Sequence, residues 1–105
     1  MTALLIDKSI SELEVSAAEA AGVLKSLSNE KRLMILCKLL EEGEMSVLPI
    51  AEAVGLGQSA LSQHLARLRE DGLVAFRRQA QTLHYRVADS RAVRILKTLK
   101  QIFCP

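Results

Sequence analysis

Seven consecutive residues, Gln58-Ser59-Ala60-Leu61-Ser62-Gln63-His64, carry amides, hydroxyls and an imidazole without a single acid. On a helix, Leu61, Leu65 and Leu68 share one stripe, which leaves Gln58, Ser59, Ser62, Gln63, Arg67 and Glu70 facing outward. Gln, Ser and Arg are the side chains that hydrogen-bond base edges and phosphates in a major groove. An ordinary solvated helix face more often carries Glu and Lys, which keep helix propensity and solubility. Further on, Arg77-Arg78 followed by Gln79 and Gln81 place positive charge at a predicted hairpin. Such a projection meets backbone phosphates or a minor groove. His64 has two readings: a base or phosphate contact, or a filler of the helix–helix seam beside Leu65. His84 reads as a surface or wing residue.

Two thiols are the other reactive groups. Cys37 falls in step with Leu33, Leu36 and Leu40 on a predicted helix, where a small core hydrophobe would sit. Cys104 stands beside the last residue, where a thiol packs little and is open to oxidation. Catalysis finds no support. The chain has no Gly-rich phosphate loop, no metal cluster and no paired acid and base within one motif. Ser59 or Ser62 could approach His64 on successive turns, but no third group orients the imidazole and no oxyanion site is evident. The expectation is no enzyme, no catalytic residue, no cofactor and no metal.

These groups need a scaffold, and its size is bounded. The 105 residues make one domain, and half of them are apolar with only two Phe, one Tyr and no Trp. Leu (18) and Ala (13) dominate the apolar set and favour helix over strand. The longest apolar run, Leu33 to Cys37, is far short of the roughly 20 residues of a membrane span. The N-terminus lacks the basic flank and cleavage site of a signal peptide. Two cysteines make no disulfide scaffold, so a reducing, cytoplasmic location is expected. A membrane protein, a secreted mini-domain and a two-domain enzyme are disfavoured. Residues 1–10 read as a flexible arm and 11–105 as the folded domain.

Local signals order the elements. Ser11 and Glu14 have capping-box spacing for a first helix to about Ser26, on which Leu13, Ala17, Ala20, Ala21 and Leu24 share a face. Ser28 or Asn29 caps a second helix that Gly43 stops. Ser46 caps a short third helix that tolerates Pro49 in its first turn, and Gly55 ends it. A fourth helix runs from Gln58 to about Asp71, closed by Gly72. Leu73–Arg78 and Thr82–Ala88 read as two strands joined by the short, Gly-free connection Gln79-Ala80-Gln81. Asp89 or Ser90 caps a last helix on which Ala92, Leu96, Leu99 and Phe103 align. The fold class is mainly α with a β-hairpin wing. A helix, a tight Gly-containing turn, a polar-faced helix and a hairpin make a winged helix-turn-helix.

Charge agrees with an anionic partner. Residues 1–54 hold five Lys/Arg against nine Asp/Glu, and residues 55–105 hold nine against three, so a net +2 conceals halves of −4 and +6. A winged-helix module that binds protein is the alternative of another class. It would not need the acid-free Gln/Ser face, nor show a steep salt dependence of DNA affinity.

The residues also carry a resemblance. Gln58 to Leu65, then Leu68-Arg69-Glu70-Asp71-Gly72-Leu73-Val74, resemble the recognition helix and following strand of the ArsR/SmtB family of bacterial repressors. Leu27-Ser28-Asn29-Glu30-Lys31-Arg32-Leu33 resembles that family's second-helix entry. The resemblance implies a homodimer joined through its first and last helices, bound to an inverted-repeat operator and released by an inducer. Arsenic and cadmium sensors of the family carry Cys-Val-Cys where this chain has Ser46-Val47-Leu48. Its zinc and nickel sensors place Asp and several His on the last helix, where residues 89–105 offer only Asp89 and no His. Metal sensing is therefore not expected. Ile35-Leu36-Cys37, Gly43-Glu44-Met45-Ser46-Val47 and the terminal Phe103-Cys104 are similar to the BigR/SqrR/HlyU branch. That similarity implies a Cys37–Cys104 dithiol that senses persulfide or polysulfide, with control of sulfide-detoxification genes. A peroxide- or disulfide-responsive repressor and a virulence-gene regulator remain as alternatives on the same fold.

Overall fold

The computed structural model describes residues 10–105. Residues 10–15 are helical and lead through a turn at Ser16 into α1 (Ala17–Leu27). The Ser11/Glu14 capping box is therefore not used as a start: Ser11 lies within a helical stretch already under way at Ile10. Ser16 takes the cap position of α1, without a side-chain cap bond. Of the expected arm, only Ile10 is among the described residues.

Helix α2 (Glu30–Glu42) begins at Asn29, whose side chain accepts from the Arg32 amide at 3.1 Å. It ends at Gly43 (φ 84°), a left-handed backbone that glycine adopts without a Cβ penalty. Two residues, Met45–Ser46, form β1 before α3 (Val47–Val54). The left-handed Gly55 closes α3 and Gly57 opens α4 (Gln58–Glu70). At its far end, the Leu73 amide bonds to the Leu68 carbonyl and that of Gly72 to Arg69, the paired bonds of a Schellman motif. β2 (Val74–Gln79) and β3 (Thr82–Val87) form the hairpin, and α5 (Ser90–Phe103) starts where the Asp89 carboxylate accepts from the Arg91 and Ala92 amides. Helices α3 and α4 are the helix-turn-helix and the hairpin is its wing. The sheet has three antiparallel strands in the order β1-β3-β2, with Met45 opposite Tyr85 and Phe76 opposite Tyr85 on the other side.

The core gathers where these elements meet: Ile35, Leu36 and Leu39 of α2, Ile50 and Val54 of α3, Leu61, Leu65 and Leu68 of α4, then Leu73, Val74 and Tyr85, with Ala92 and Leu96 of α5. The buried face of α2 is rotated from the expected one. Leu33 and Leu40 are only half-buried and Cys37 is exposed, while Ile35 and Leu39 take the interior. An unbroken apolar run from Leu33 to Cys37 allows either face, and packing against α4 and the sheet selects one. Apolar side chains stay outside at both ends: Leu13 in the stretch before α1 is 52% and Leu24 of α1 55% exposed, and on α5 Ile102 and Phe103 reach 62% and 75%.

Lys31 ties the start of α2 to the helix-turn-helix. Its Nζ donates to the Val54 carbonyl at 2.7 Å, so a cation closes the C-terminus of α3 just before Gly55. Lys31→Met should lower unfolding free energy by about 1 kcal/mol, the scale of a part-exposed charged hydrogen bond at a helix end. Chemical denaturation measures this, and an unchanged midpoint would show that the contact contributes nothing.

Candidate DNA-binding surface and thiol pair

Helix α4 presents its polar face because Leu61, Leu65 and Leu68 are drawn into the core. Gln58, Ser59, Ser62, Gln63 and Arg67 are all exposed, and no acid lies in the first turn. His64 is half-buried on the flank between that face and the core. Gln58, Ser62 and Arg69 line an open cleft of about 610 Å³ between α4 and the wing, closed on the other side by Ser46, Gln81 and Thr82. A groove with a polar helix on one wall and a hairpin tip on the other suits a strand of duplex backbone.

Arg69 is a residue the sequence reading passed over. Its guanidinium lies 4.5 Å from the centre of the Phe76 ring, and Phe76 packs on Tyr85 at 5.4 Å. The stack joins the recognition helix to the wing. The signal was available, since Ser62, Ala66 and Arg69 follow one another at helical spacing on one face.

The predicted wing residues divide. The hairpin turns through Ala80 and Gln81, with Gln79 opposite Thr82 and Ala80 in a left-handed conformation (φ 56°). Arg78, Gln79 and Gln81 are exposed near the tip, and among the described residues Arg78 has no ion-pair partner. Arg77 is engaged: it forks onto the Glu44 carboxylate and donates to Gln79. On α4 itself, the Arg67 Nε donates to Asp71 at 3.2 Å, and Asp71 also accepts from Ser26 Oγ at 2.5 Å. These bonds hold the Asp71 carboxyl below its usual range, the Ser26 hydroxyl contributing most. They also anchor the end of the recognition helix to α1.

Cys37 sits on the outer face of α2 near the Lys38–Glu41 ion pair (2.9 Å), and Cys104 caps α5 with its amide bonded to the Lys100 carbonyl. The expectation of Cys37 as a core hydrophobe is corrected by its exposure. Its sulfur is nonetheless partly shielded, and this shielding, then the charge of Cys104, then that of Glu41, raise the Cys37 thiol above its ordinary value. Both thiols are free and exposed, Cys37 on α2 and Cys104 at the end of α5. A raised thiol is less ionised at neutral pH, so its reaction with iodoacetamide should keep climbing with pH after a free cysteine has levelled off. Glu41→Gln should speed that reaction at pH 7 by about two-fold, as expected for one exposed charge removed. A rate untouched by the substitution would contradict the electrostatic cause. Among the described residues, no three His, Cys, Asp or Glu side chains gather as a metal site.

The family model for the arsR family of bacterial regulatory proteins matches residues 29–75, from the cap of α2 to the start of the wing. The transcriptional activator HlyU of Vibrio cholerae is 43% identical over 95 residues, covering 90% of this chain and 87% of that protein. The chain belongs to the ArsR family. The biofilm growth-associated repressor of Xylella fastidiosa is 42% identical over 93 residues, covering 89% of this chain and 81% of its own length. The crystal structure of the repressor BigR from the same organism superposes with a TM-score of 0.85 at 41% identity, covering 90% of this chain and 96% of that one. This ArsR-family chain is a DNA-binding transcriptional regulator rather than an enzyme, and none of its described helices is long and apolar enough to cross a membrane.

Proposed function

We propose that this regulator is a cytoplasmic homodimeric repressor whose operator affinity is switched by reactive sulfur through Cys37 and Cys104. The observation that carries the reading is the thiol pair: two free, exposed cysteines, one on α2 and one at the end of α5, with the charge of Cys104 among the causes that raise the Cys37 thiol. Pairing through the first and last helices is supported by apolar side chains left outside there, Leu24 on α1 with Leu13 in the helical stretch before it, and Ile102 and Phe103 on α5. A two-fold dimer presents two recognition helices to an inverted repeat. In this reading Gln58, Ser59, Ser62, Gln63, His64 and Arg67 meet the major groove, and Arg77, Arg78, Gln79 and Gln81 meet the backbone or minor groove.

The chemistry balances with a persulfide as the only co-reactant. The Cys37 thiolate takes the outer sulfur of glutathione persulfide and releases glutathione, leaving a Cys37 persulfide. The Cys104 thiolate then attacks the inner sulfur and expels hydrosulfide, closing a disulfide. Where Cys104 has first taken a sulfur of its own, the same attack closes a trisulfide. Each closure oxidises the thiol pair by two electrons and reduces one sulfur atom to sulfide. A plain disulfide requires Cα atoms about 4.4–6.8 Å apart, whereas a longer sulfur bridge tolerates a wider gap. Joining α2 to α5 would pull on a dimer helix and change the spacing of recognition helices, which a half-site separation of about 34–36 Å tolerates poorly.

Intact-mass analysis of protein treated with glutathione persulfide or with hydrogen peroxide tests the sensor. The expected product after persulfide is a Cys37–Cys104 bridge, a disulfide or a trisulfide, formed at rates well above those with peroxide. A bridge formed only by peroxide points to an oxidant-responsive repressor, and no bridge with either overturns dithiol sensing.

A further inference from the structure

Arg77 and Arg78 are neighbours in the sequence but differ in what holds them. Strand alternation puts them on opposite faces of the wing. Arg78 pairs across the sheet with Leu83, and Arg77 with His84. All three guanidinium nitrogens of Arg77 are occupied: Nε donates to both Glu44 oxygens at 3.1 and 3.0 Å, one terminal nitrogen to Glu44 at 2.8 Å and the other to Gln79 at 3.0 Å. Glu44 comes from the link between α2 and β1, thirty-three residues earlier in the chain. The two side chains are 50% and 31% exposed, so water and ions reach them. An ion pair in that setting is weak and exchangeable.

We propose that Glu44 competes with DNA phosphate for Arg77, so that this ion pair sets how tightly the wing holds duplex DNA. The proposal rests on the reading that the wing meets DNA. A carboxylate and a phosphate present the same two-oxygen edge to an arginine fork, so one can replace the other without a new geometry. Glu44 would not be stranded by the exchange, because His84 and Arg86 also bear on it. Arg77 stands two residues before the hairpin turn, within a long side chain's reach of the tip. In the free protein Arg78 and Arg86 are exposed wing cations without an ion pair among the described residues, and Arg77 is the one held in reserve. Glu44 thereby lowers affinity and flattens its salt dependence, since a phosphate contact to Arg77 must first break a contact already made.

Fluorescence anisotropy over a range of salt concentrations tests this, with a duplex from upstream of the protein's own gene. The proteins compared are wild type, Glu44→Gln, Arg77→Ala and the double variant, each checked for an unchanged unfolding midpoint against added salt. Glu44→Gln should tighten binding by about five-fold per wing at 0.15 M salt and steepen the salt slope by about 0.9, the release of one more counterion. In the Arg77→Ala background the same substitution should leave the slope unchanged. Weaker binding by Glu44→Gln overturns the proposal, because the ion pair then holds the wing in its binding pose. An equal gain without Arg77 overturns it as well, since removal of any carboxylate would suffice. Wild-type protein that binds neither this duplex nor a random one overturns the reading that the wing meets DNA and this proposal with it, whereas wild-type binding with an indifferent Glu44→Gln overturns the proposal alone.

Discussion

Cys104→Ser should abolish the response to persulfide while leaving operator affinity within about two-fold of wild type, the range of an exposed substitution without special contacts. The side chain it replaces is exposed at the end of α5, and the backbone bond from its amide to Lys100 does not depend on the sulfur. Serine keeps the size and loses the nucleophile, so the Cys37 persulfide would form but find no second thiolate to close the bridge. Operator titrations with and without glutathione persulfide measure both properties at once. Loss of DNA binding in untreated Cys104→Ser would assign the residue a structural role instead. Cys37→Ser should lose the response equally and, in addition, take up no sulfur at position 37.

Gln63→Ala should cost sequence discrimination rather than general affinity. Gln63 is exposed on the acid-free face of α4, and an amide that bonds two positions on a base edge discriminates by about 1–3 kcal/mol. The expected result is a fall of about ten-fold or more in the ratio of operator to random-duplex affinity, with random-duplex binding little changed. Arg78→Ala provides the contrast. It should weaken both duplexes alike and reduce the salt slope by about 0.9, because a phosphate contact carries no sequence information. Anisotropy with the two duplexes separates the cases. A uniform loss from Gln63→Ala would mean that this face positions the helix without reading bases.

Much of the scaffold was legible because its signals are local. Asn29 and Asp89 cap their helices, and Gly43, Gly55 and Gly72 all take positive φ where the sequence placed helix ends. Cap chemistry depends on a few neighbouring residues and survives tertiary context. Features made by distant segments were not legible. Strand β1 is only two residues long and exists because Met45 and Ser46 find Tyr85 and His84 some forty residues later. A five-residue apolar run has no unique period, so the half-burial of Leu33 and Leu40 and the outward position of Cys37 follow from packing and not from spacing. The hairpin turn gave no signal because Ala80 takes a left-handed conformation that sequence rules reserve for Gly or Asn.

The functional surface divides in the same way. The composition of α4 exposed Gln58, Ser59, Ser62, Gln63 and Arg67 once the leucine stripe was recognised. Helical spacing puts Arg69 on the face of Ser62 and Ala66, but its contact with the wing needed the fold, because that contact is defined by Phe76. The pairing of Arg77 with Glu44 was equally hidden, since nothing in either segment announces the other. Charge by segment located a basic half, but only geometry shows which of its cations are already engaged.

The most direct test of the switch is anisotropy of an operator duplex from upstream of the protein's own gene. It is titrated with fully reduced protein and with protein treated with glutathione persulfide, with intact mass taken on the same samples. We predict that the reduced protein binds, and that the treated protein carries a sulfur bridge between Cys37 and Cys104 and binds markedly more weakly. Equal affinity in a sample shown by mass to be bridged would contradict the switch, leaving a DNA-binding regulator whose inducer acts elsewhere.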